Sequence, residues 1–413
     1  MLSIAEALKI VLEVTPVLDG ESIGLRDLLG RTLAVDIAAP HDVPGFANSQ
    51  MDGFALRAGD LAPATQETPV VLRVLGTAAA GHPFAGRVEA GTAVRIMTGA
   101  PVPEGADAVV PVERASVSQD GVALVESCPA GRFVRSAGED LRAGEVALGR
   151  GRVLRAADLG LLASMGFERV SVHRRPRVAI VGTGEELVPV GEPLGLGQVH
   201  DSNAYALAGA VAEAGAIAEP LGVVGDDRES LKRVLGEASR CDFVLSTGGV
   251  SVGDFDYVKE VMDAIGLERH FWRVAQKPGK PLVFASGPSS LYFGLPGNPV
   301  SALVCFLLYV APSLHKAQGH KEVHLPTIEV RVAEETRTSL DFTELVRCRL
   351  ERRGDGWEAR STGSQSSGVL KSLSLADALV VSPPGCGGFQ PGDVARALKL
   401  TTTGERSSTH PFA

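Results

Sequence analysis

Four glycine-bearing strings in the second half of the chain carry residue types suited to holding an anion. They are GTGEEL (182–187), STGGVSVGDFD (246–256), WRVAQKPGKP (272–281) and GLPGNPVSA (294–302). In the second, Gly248 and Gly249 let backbone N–H groups point at a negative group, and the hydroxyls of Ser246, Thr247 and Ser251 add donors. Asp254 suits the dipole of a following helix. A further acid, Asp256, beside an anion cradle points to a divalent cation of the Mg²⁺ type. The third string sets Arg273, Lys277 and Lys280 on a stiff Pro-Gly backbone, where the bland alternative is solvated surface. The fourth runs from a strand into an apolar helix, with Asn298 at the N-cap and Pro299 in the first turn. Capping alone accounts for Asn298. GTGEEL lacks the full G-x-G-x-x-G, so a tight turn without a ligand explains it as well as a binding loop does.

Three segments in the first half look similarly particular. QMDGFAL (50–56) puts Asp52 in a Met-Asp-Gly turn, RIMTGAPVPEGADAVV (95–110) puts Thr98 at a strand end, and RSAGEDLRAGE (135–145) holds Arg135, Glu139 and Asp140. On residues alone each reads as a structural turn.

The elements that must position these strings follow from periodicity. From 177 the chain alternates strand and helix. Strands are expected at Arg177–Val181, Leu221–Val224, Asp242–Leu245, Leu282–Ala285 and Leu291–Phe293. Helices are expected at Asn203–Ala214, Arg228–Ser239 and Phe255–Ile265, and near 300–311 between Pro299 and Pro312. Asp201 or Ser202 caps the first of these helices and Gly215 ends it. This alternation implies a mostly parallel sheet covered on both faces, with its ligand loops beyond the carboxyl ends of the strands.

Elsewhere the texture differs. Residues 1–38 look helical, broken at Gly24 and Gly30, and helix returns at Ala156–Met165. Between them, short Val-rich runs and recurring turn pairs mark a small β unit. The expected organisation is a multidomain α/β plus β protein. Residues 1–38 and 141–173 form an elongated N-terminal domain, 39–140 an inserted β domain, and 174–324 a three-layer α/β domain. Residues 325–400 form a C-terminal β domain, and 401–413 a flexible tail.

Composition narrows the partners. A 413-residue chain with 45% hydrophobic and 22% charged residues is globular and multidomain. A net charge of −9 argues against nucleic acid as the main partner. Five scattered cysteines without C-x-x-C spacing argue against disulfide frameworks and zinc, and for a reducing, cytoplasmic setting. The longest apolar run, Val300–Val310, is about half of the ~20 residues a membrane span needs. No G-x-S-x-G, P-loop or H-E-x-x-H string occurs.

Taken in order, QMDGFAL, RIMTGAPVPEGADAVV, AGEDLRAG, VGTGEEL, DSN, STGGVSVGDFD, KPGKP and GLPGNPVSA resemble the MoeA family of molybdopterin molybdenumtransferases, which includes the E domain of gephyrin. GSQSSGVLKSLSLADALVVSP (363–383) is similar to that family's C-terminal β domain. The resemblance implies insertion of molybdenum from molybdate into adenylylated molybdopterin, with Mg²⁺ assisting and AMP released. It implies a homodimer of four-domain subunits whose active site is shared, so that Asp52, Thr98, Arg135 and Asp140 reach a cleft formed by the partner's α/β domain. Glu186 and Asp256, with Asp52, Thr98 and Asp140, carry the implied catalysis. Glu186, Asp226 and Asp256 are the implied Mg²⁺ ligands. Substrate contacts fall to Arg135, Ser246, Thr247, Gly248, Gly249, Ser251, Arg273, Lys277, Lys280, Pro296, Asn298 and Pro299. Arg273 stands where a relative carries lysine, and GEEL replaces the commoner GDEL, which bears on Glu185 more than on Glu186. Transient contact with the molybdopterin adenylyltransferase and with molybdoenzymes is also implied. Two alternatives stay open: adenylylation of molybdopterin, as in a related single-domain family with a similar STGGVS loop, and a non-catalytic scaffold on the same fold.

Overall fold

A computed structural model describes residues 1–225, 228–248, 266–354 and 356–400. Asp226, Gly249, Ser251, Asp256, the helix expected at Phe255–Ile265 and the tail 401–413 lie outside the described residues. The architecture is multidomain, α/β plus β, as the alternation of elements requires.

The α/β part is built on a six-stranded sheet. Its order is Ile217–Val224, Arg177–Thr183, Phe243–Thr247, Leu291–Leu295, Pro281–Ser286, Glu268–Arg273. The first three junctions are parallel and the last two antiparallel. Strands Arg177–Thr183 and Phe243–Thr247 are buried almost throughout, which is why they read as unbroken apolar runs. Two features differ from expectation. Glu268–Arg273 is an additional strand, and only Phe271 along it is fully buried, so its sequence lacks the apolar signal. Ile217–Val224 starts earlier than expected because Pro220 sits on the sheet edge, where a missing N–H is tolerated, beside a register shift at Ile180/Val181.

The apolar helix is longer than expected and runs from Pro299 to Ala317. It passes through Pro312 because a π-helical turn, Phe306–Val310, intervenes between Pro299–Cys305 and Ala311–Ala317. A widened turn accommodates a ring and a missing N–H that a regular α ladder cannot. Although long and apolar enough to span a membrane, the helix is 78% buried in the core.

Residues 1–38 are not one helical stretch. Ile4–Val14 is a helix, started by a Ser3/Glu6 capping box and stopped before Pro16. Its Ala7 and Val11 share a core with Tyr309 and Leu314 of the long helix, and Thr15 Oγ1 lies 2.6 Å from Ser313 Oγ. The chain then turns to strand, and Gly20–Gly24 pairs antiparallel with Arg169–His173. Around that pair Leu28, Leu33, Leu148, Leu162 and Val172 make a separate core.

Two β units complete the molecule. The first has strand order Ala108–Pro111, Gly53–Leu56, Thr92–Ile96, Val70–Ala78, Gly121–Leu124, Ala115–Ser118. In the second, Thr343–Arg353 pairs with both Gly356–Ser361 and Ala378–Ser382, closing five strands into a barrel. A short strand of the α/β part, Gln276–Lys277, pairs in parallel with Thr343–Glu344 of this barrel.

Candidate active site

A cleft of about 710 Å³ opens beyond the carboxyl ends of the parallel strands. Thr183, Gly184 and Glu186 line it after the first strand, Thr247 and Gly248 after the third, and Pro296, Gly297, Asn298 and Pro299 after the fourth. Three of the four glycine-bearing strings therefore converge, as the parallel topology demands, and the fourth, WRVAQKPGKP, reaches the cleft only through its last residue, Pro281. Gly248 holds φ at +86°, and a Cβ there would lie 2.3 Å from the carbonyl oxygen of Thr183. Thr183 Oγ1 in turn donates to the Thr247 carbonyl at 3.0 Å, locking the two loops together. Backbone thus forms this wall with no room for a side chain, which suits close approach by a ligand.

The cleft's polar fittings come from short-range bonds. Asp201 caps the helix Ser202–Glu213 by accepting from Ala204 N at 3.0 Å. Asn203 donates to the Gly297 carbonyl at 2.8 Å, while its buried Oδ1 has no partner. Asn203 had no motif to mark it beyond DSN, yet it is the side chain that joins two of the loops. Asn298 does not cap its own helix: its amide donates to Ser367 Oγ at 3.0 Å. The helix N-terminus is served from the C-terminal domain, because Val300 N donates to the Ser367 carbonyl at 3.2 Å. Gly368 also lines the cleft. This loop is held by Arg347, fully buried, whose guanidinium donates to Ser372 Oγ and to the Ser364 and Ser366 carbonyls.

Other expected residues stand apart from the cleft. Ser246 is buried, with its hydroxyl 2.5 Å from Tyr292 OH on the neighbouring strand, and does not line it. Lys277, Lys280 and Arg273 are not among the lining residues, although Pro281 is. Lys277 Nζ pairs with Glu344 at 3.0 Å, and Lys280 lies 5.0 Å above the Phe342 ring. The basic loop is therefore pinned by the segment 339–344 of the C-terminal domain, a contact no local pattern could reveal.

The first-half segments form a second constellation. Asp52 Oδ1 accepts from both the backbone N–H and the hydroxyl of Thr98, each at 2.7 Å. These bonds, the hydroxyl first, hold the Asp52 carboxyl below its ordinary range. Val134–Arg135 pairs with Asn48–Ser49, and Arg135 lies 3.5 Å from Glu139. Asp140 N donates to the Val43 carbonyl at 3.0 Å. The stretch 43–52 thus gathers Asp52, Thr98, Arg135 and Asp140, and none of them lines the 710 Å³ cleft of the same chain.

Three sequence profiles match the chain. One, described as the MoeA N-terminal region (domain I and II), covers residues 2–166. A second, described as a probable molybdopterin binding domain, covers 179–316, and a third, the MoeA C-terminal region (domain IV), covers 329–400. Similar curated proteins are named molybdopterin molybdenumtransferase. The one from Haemophilus influenzae is 39% identical over 329 residues, spanning 79% of this chain and 80% of that relative. The one from Bacillus subtilis is 35% identical over 398 residues, spanning 95% and 92%. The crystal structure of the molybdopterin biosynthesis MoeA protein from Pyrococcus horikosii superposes with a TM-score of 0.85 at 30% identity, covering 97% of this chain and 99% of that one.

Proposed function

The chain belongs to the MoeA family of molybdopterin molybdenumtransferases, transferases of molybdenum cofactor biosynthesis, and from that membership we propose how its cleft works. The substrate is adenylylated molybdopterin, and molybdenum enters its dithiolene from molybdate as AMP is released. The observation that supports this reading best is the backbone-walled cleft at Gly248, which is open to the N-terminus of the helix at Pro299. Helix N-termini favour the negative charge of a phosphoanhydride. Thr183 and Thr247 stand at its rim, and Asn203 Oδ1 is a buried acceptor awaiting a donor, which an amino-bearing pterin supplies.

Mg²⁺ belongs to the reading only as an open requirement. Among the described residues no group of three potential ligands could hold a metal ion, and of the three carboxylates assigned to it only Glu186 is described.

The second half of the reading is a homodimer with a shared site. Asp52, Thr98, Arg135 and Asp140 lie outside their own chain's cleft, and we assign them to the cleft of a second copy. A complementation experiment tests this. Asp52→Asn and Glu186→Gln are each inactive, and their one-to-one mixture recovers about one quarter of wild-type turnover, because half the dimers carry one intact site. A mixture no more active than its parts would remove the shared site. We expect the enzyme in the cytoplasm, with transient contacts to the adenylyltransferase that supplies its substrate and to molybdoenzymes that take its product.

A further inference from the structure

A second cleft, of about 420 Å³, shares no lining residue with the first. It lies where Leu12 at the end of the N-terminal helix, the turn at Arg150, the end of strand Arg169–His173 and the segment Lys316–Val323 meet. Its side chains are of one sign. Arg150, Lys316 and Lys321 line it with His173 and His320, and no carboxylate does. The chain as a whole carries a net charge of −9. Even so, none of these three cations forms an ion pair among the described residues.

A structural explanation covers only part of this. Lys316 donates to the Leu12 carbonyl and so serves the carboxyl end of a helix, where a cation is favoured. Arg150 and Lys321 have no such duty. The Arg150 backbone is fixed, its N–H donating to Asp36 at 2.6 Å, which leaves the guanidinium to the cleft. The stem of Lys321 lies across Gly151, where a Cβ would come within 3.0 Å of its Cγ and Cε. That turn is shaped to let the lysine pass. His173 donates Nδ1–H to the Leu18 carbonyl at 2.8 Å, and its buried Nε2 has no partner. His320 stacks on His315 at 4.9 Å. Burial, then the neighbouring His315 and His173, push its imidazole down to about 4. With His320 neutral and Lys316 engaged by the Leu12 carbonyl, the Arg150 and Lys321 charges face the cleft with no carboxylate among its lining residues.

We infer that this cleft binds a phosphate-class oxyanion, held by Arg150 and Lys321 with Lys316 and His320 beside it. Arginine and lysine together match a compact, multiply charged tetrahedral anion better than a single carboxylate. A concave site of this size takes a small ligand and not a protein face. Arg150 and His173 belong to the part of the chain before Arg177, while Lys316 lies in the last turn of the long helix and His320 and Lys321 just beyond it. A bound anion therefore ties the two parts together.

The test uses the full chain labelled with [15N]histidine and titrated with inorganic phosphate at low, constant ionic strength. The His315 and His320 imidazole signals shift saturably, and the unfolding midpoint rises with phosphate. In Arg150→Glu/Lys321→Glu the apparent Kd rises at least about tenfold, as loss of two charge-assisted contacts requires. Lys321→Gln, which disturbs the surface less, gives an intermediate value. A parallel titration with phenyl phosphate identifies the source: equal affinity marks a free oxyanion, tighter binding an organic phosphate. Imidazole signals that do not move, or that move equally in the wild type and both variants, would overturn the inference. Anion binding at the first cleft does not confuse the imidazole readout, because no histidine of this cluster lines it, and the rise in unfolding midpoint is read as the difference between the wild type and the variants.

Discussion

Lys277→Ala tests the contact by which the C-terminal barrel pins the basic loop of the α/β part. The Lys277 ammonium lies 3.0 Å from Glu344, and the two side chains differ sharply in exposure, 56% against 6%. The other Glu344 oxygen accepts from Ser339 N at 2.8 Å. Screening by solvent at Lys277 limits the pair's own worth to about 0.5–1 kcal/mol. Removing the lysine also leaves a nearly buried carboxylate with one partner fewer, at about 1–2 kcal/mol. The single variant should therefore lose about 2 kcal/mol. Glu344→Gln keeps the acceptor for Ser339 and loses about 1 kcal/mol. In Lys277→Ala/Glu344→Gln the stranded charge is gone, so the double variant loses only about 1 kcal/mol and is more stable than Lys277→Ala, a coupling of about 2 kcal/mol. Urea unfolding followed by tryptophan fluorescence suits the purpose, because the chain's two tryptophans, Trp272 and Trp357, lie in the α/β sheet and the C-terminal barrel. Additive losses within about 0.3 kcal/mol would refute the pairing.

Two further outcomes follow from the same geometry. Gly248→Ala places a Cβ 2.3 Å from a backbone oxygen at φ +86°, and should cost about 2–4 kcal/mol, from left-handed strain and overpacking together; a urea midpoint within error of wild type would show that the wall is not closed there. His320 is held neutral in the fold at about 4, so the unfolded chain takes up its proton first as pH falls. Stability should drop between roughly pH 6.5 and 4 by about 2 kcal/mol, discounted for partial exposure, and His320→Gln should flatten that slope; an unchanged slope would refute the assignment.

What the residues disclose is local, and what they hide is long-range. Gly248 and the strands behind it were legible because buried parallel strands must be apolar and their exits must turn. Pro299 was legible as a helix start. The role of Asn298 was misread, since N-cap chemistry predicts a bond to its own helix and the real partner, Ser367, lies in another domain. Ser246 looked like a loop donor, yet it faces Tyr292 inside the sheet; which face a strand's last residue presents depends on register. Lys277 and Lys280 were recognised as unusual, but their anchors Glu344 and Phe342 are more than 60 residues away along the chain. The same holds for the helix Ile4–Val14: its amphipathic pattern announces a buried face but cannot say that the helix at Tyr309 covers it. The union of Asp52 with Thr98 came from sheet pairing, not from either turn.

The most direct test of the account is to supply purified protein with adenylylated molybdopterin and follow AMP with and without molybdate, adding Mg²⁺ in separate arms. AMP and molybdenum-loaded cofactor should appear together and only when molybdate is present. Unchanged adenylylated substrate under all conditions, or adenylylation of molybdopterin from ATP without molybdate, would contradict it.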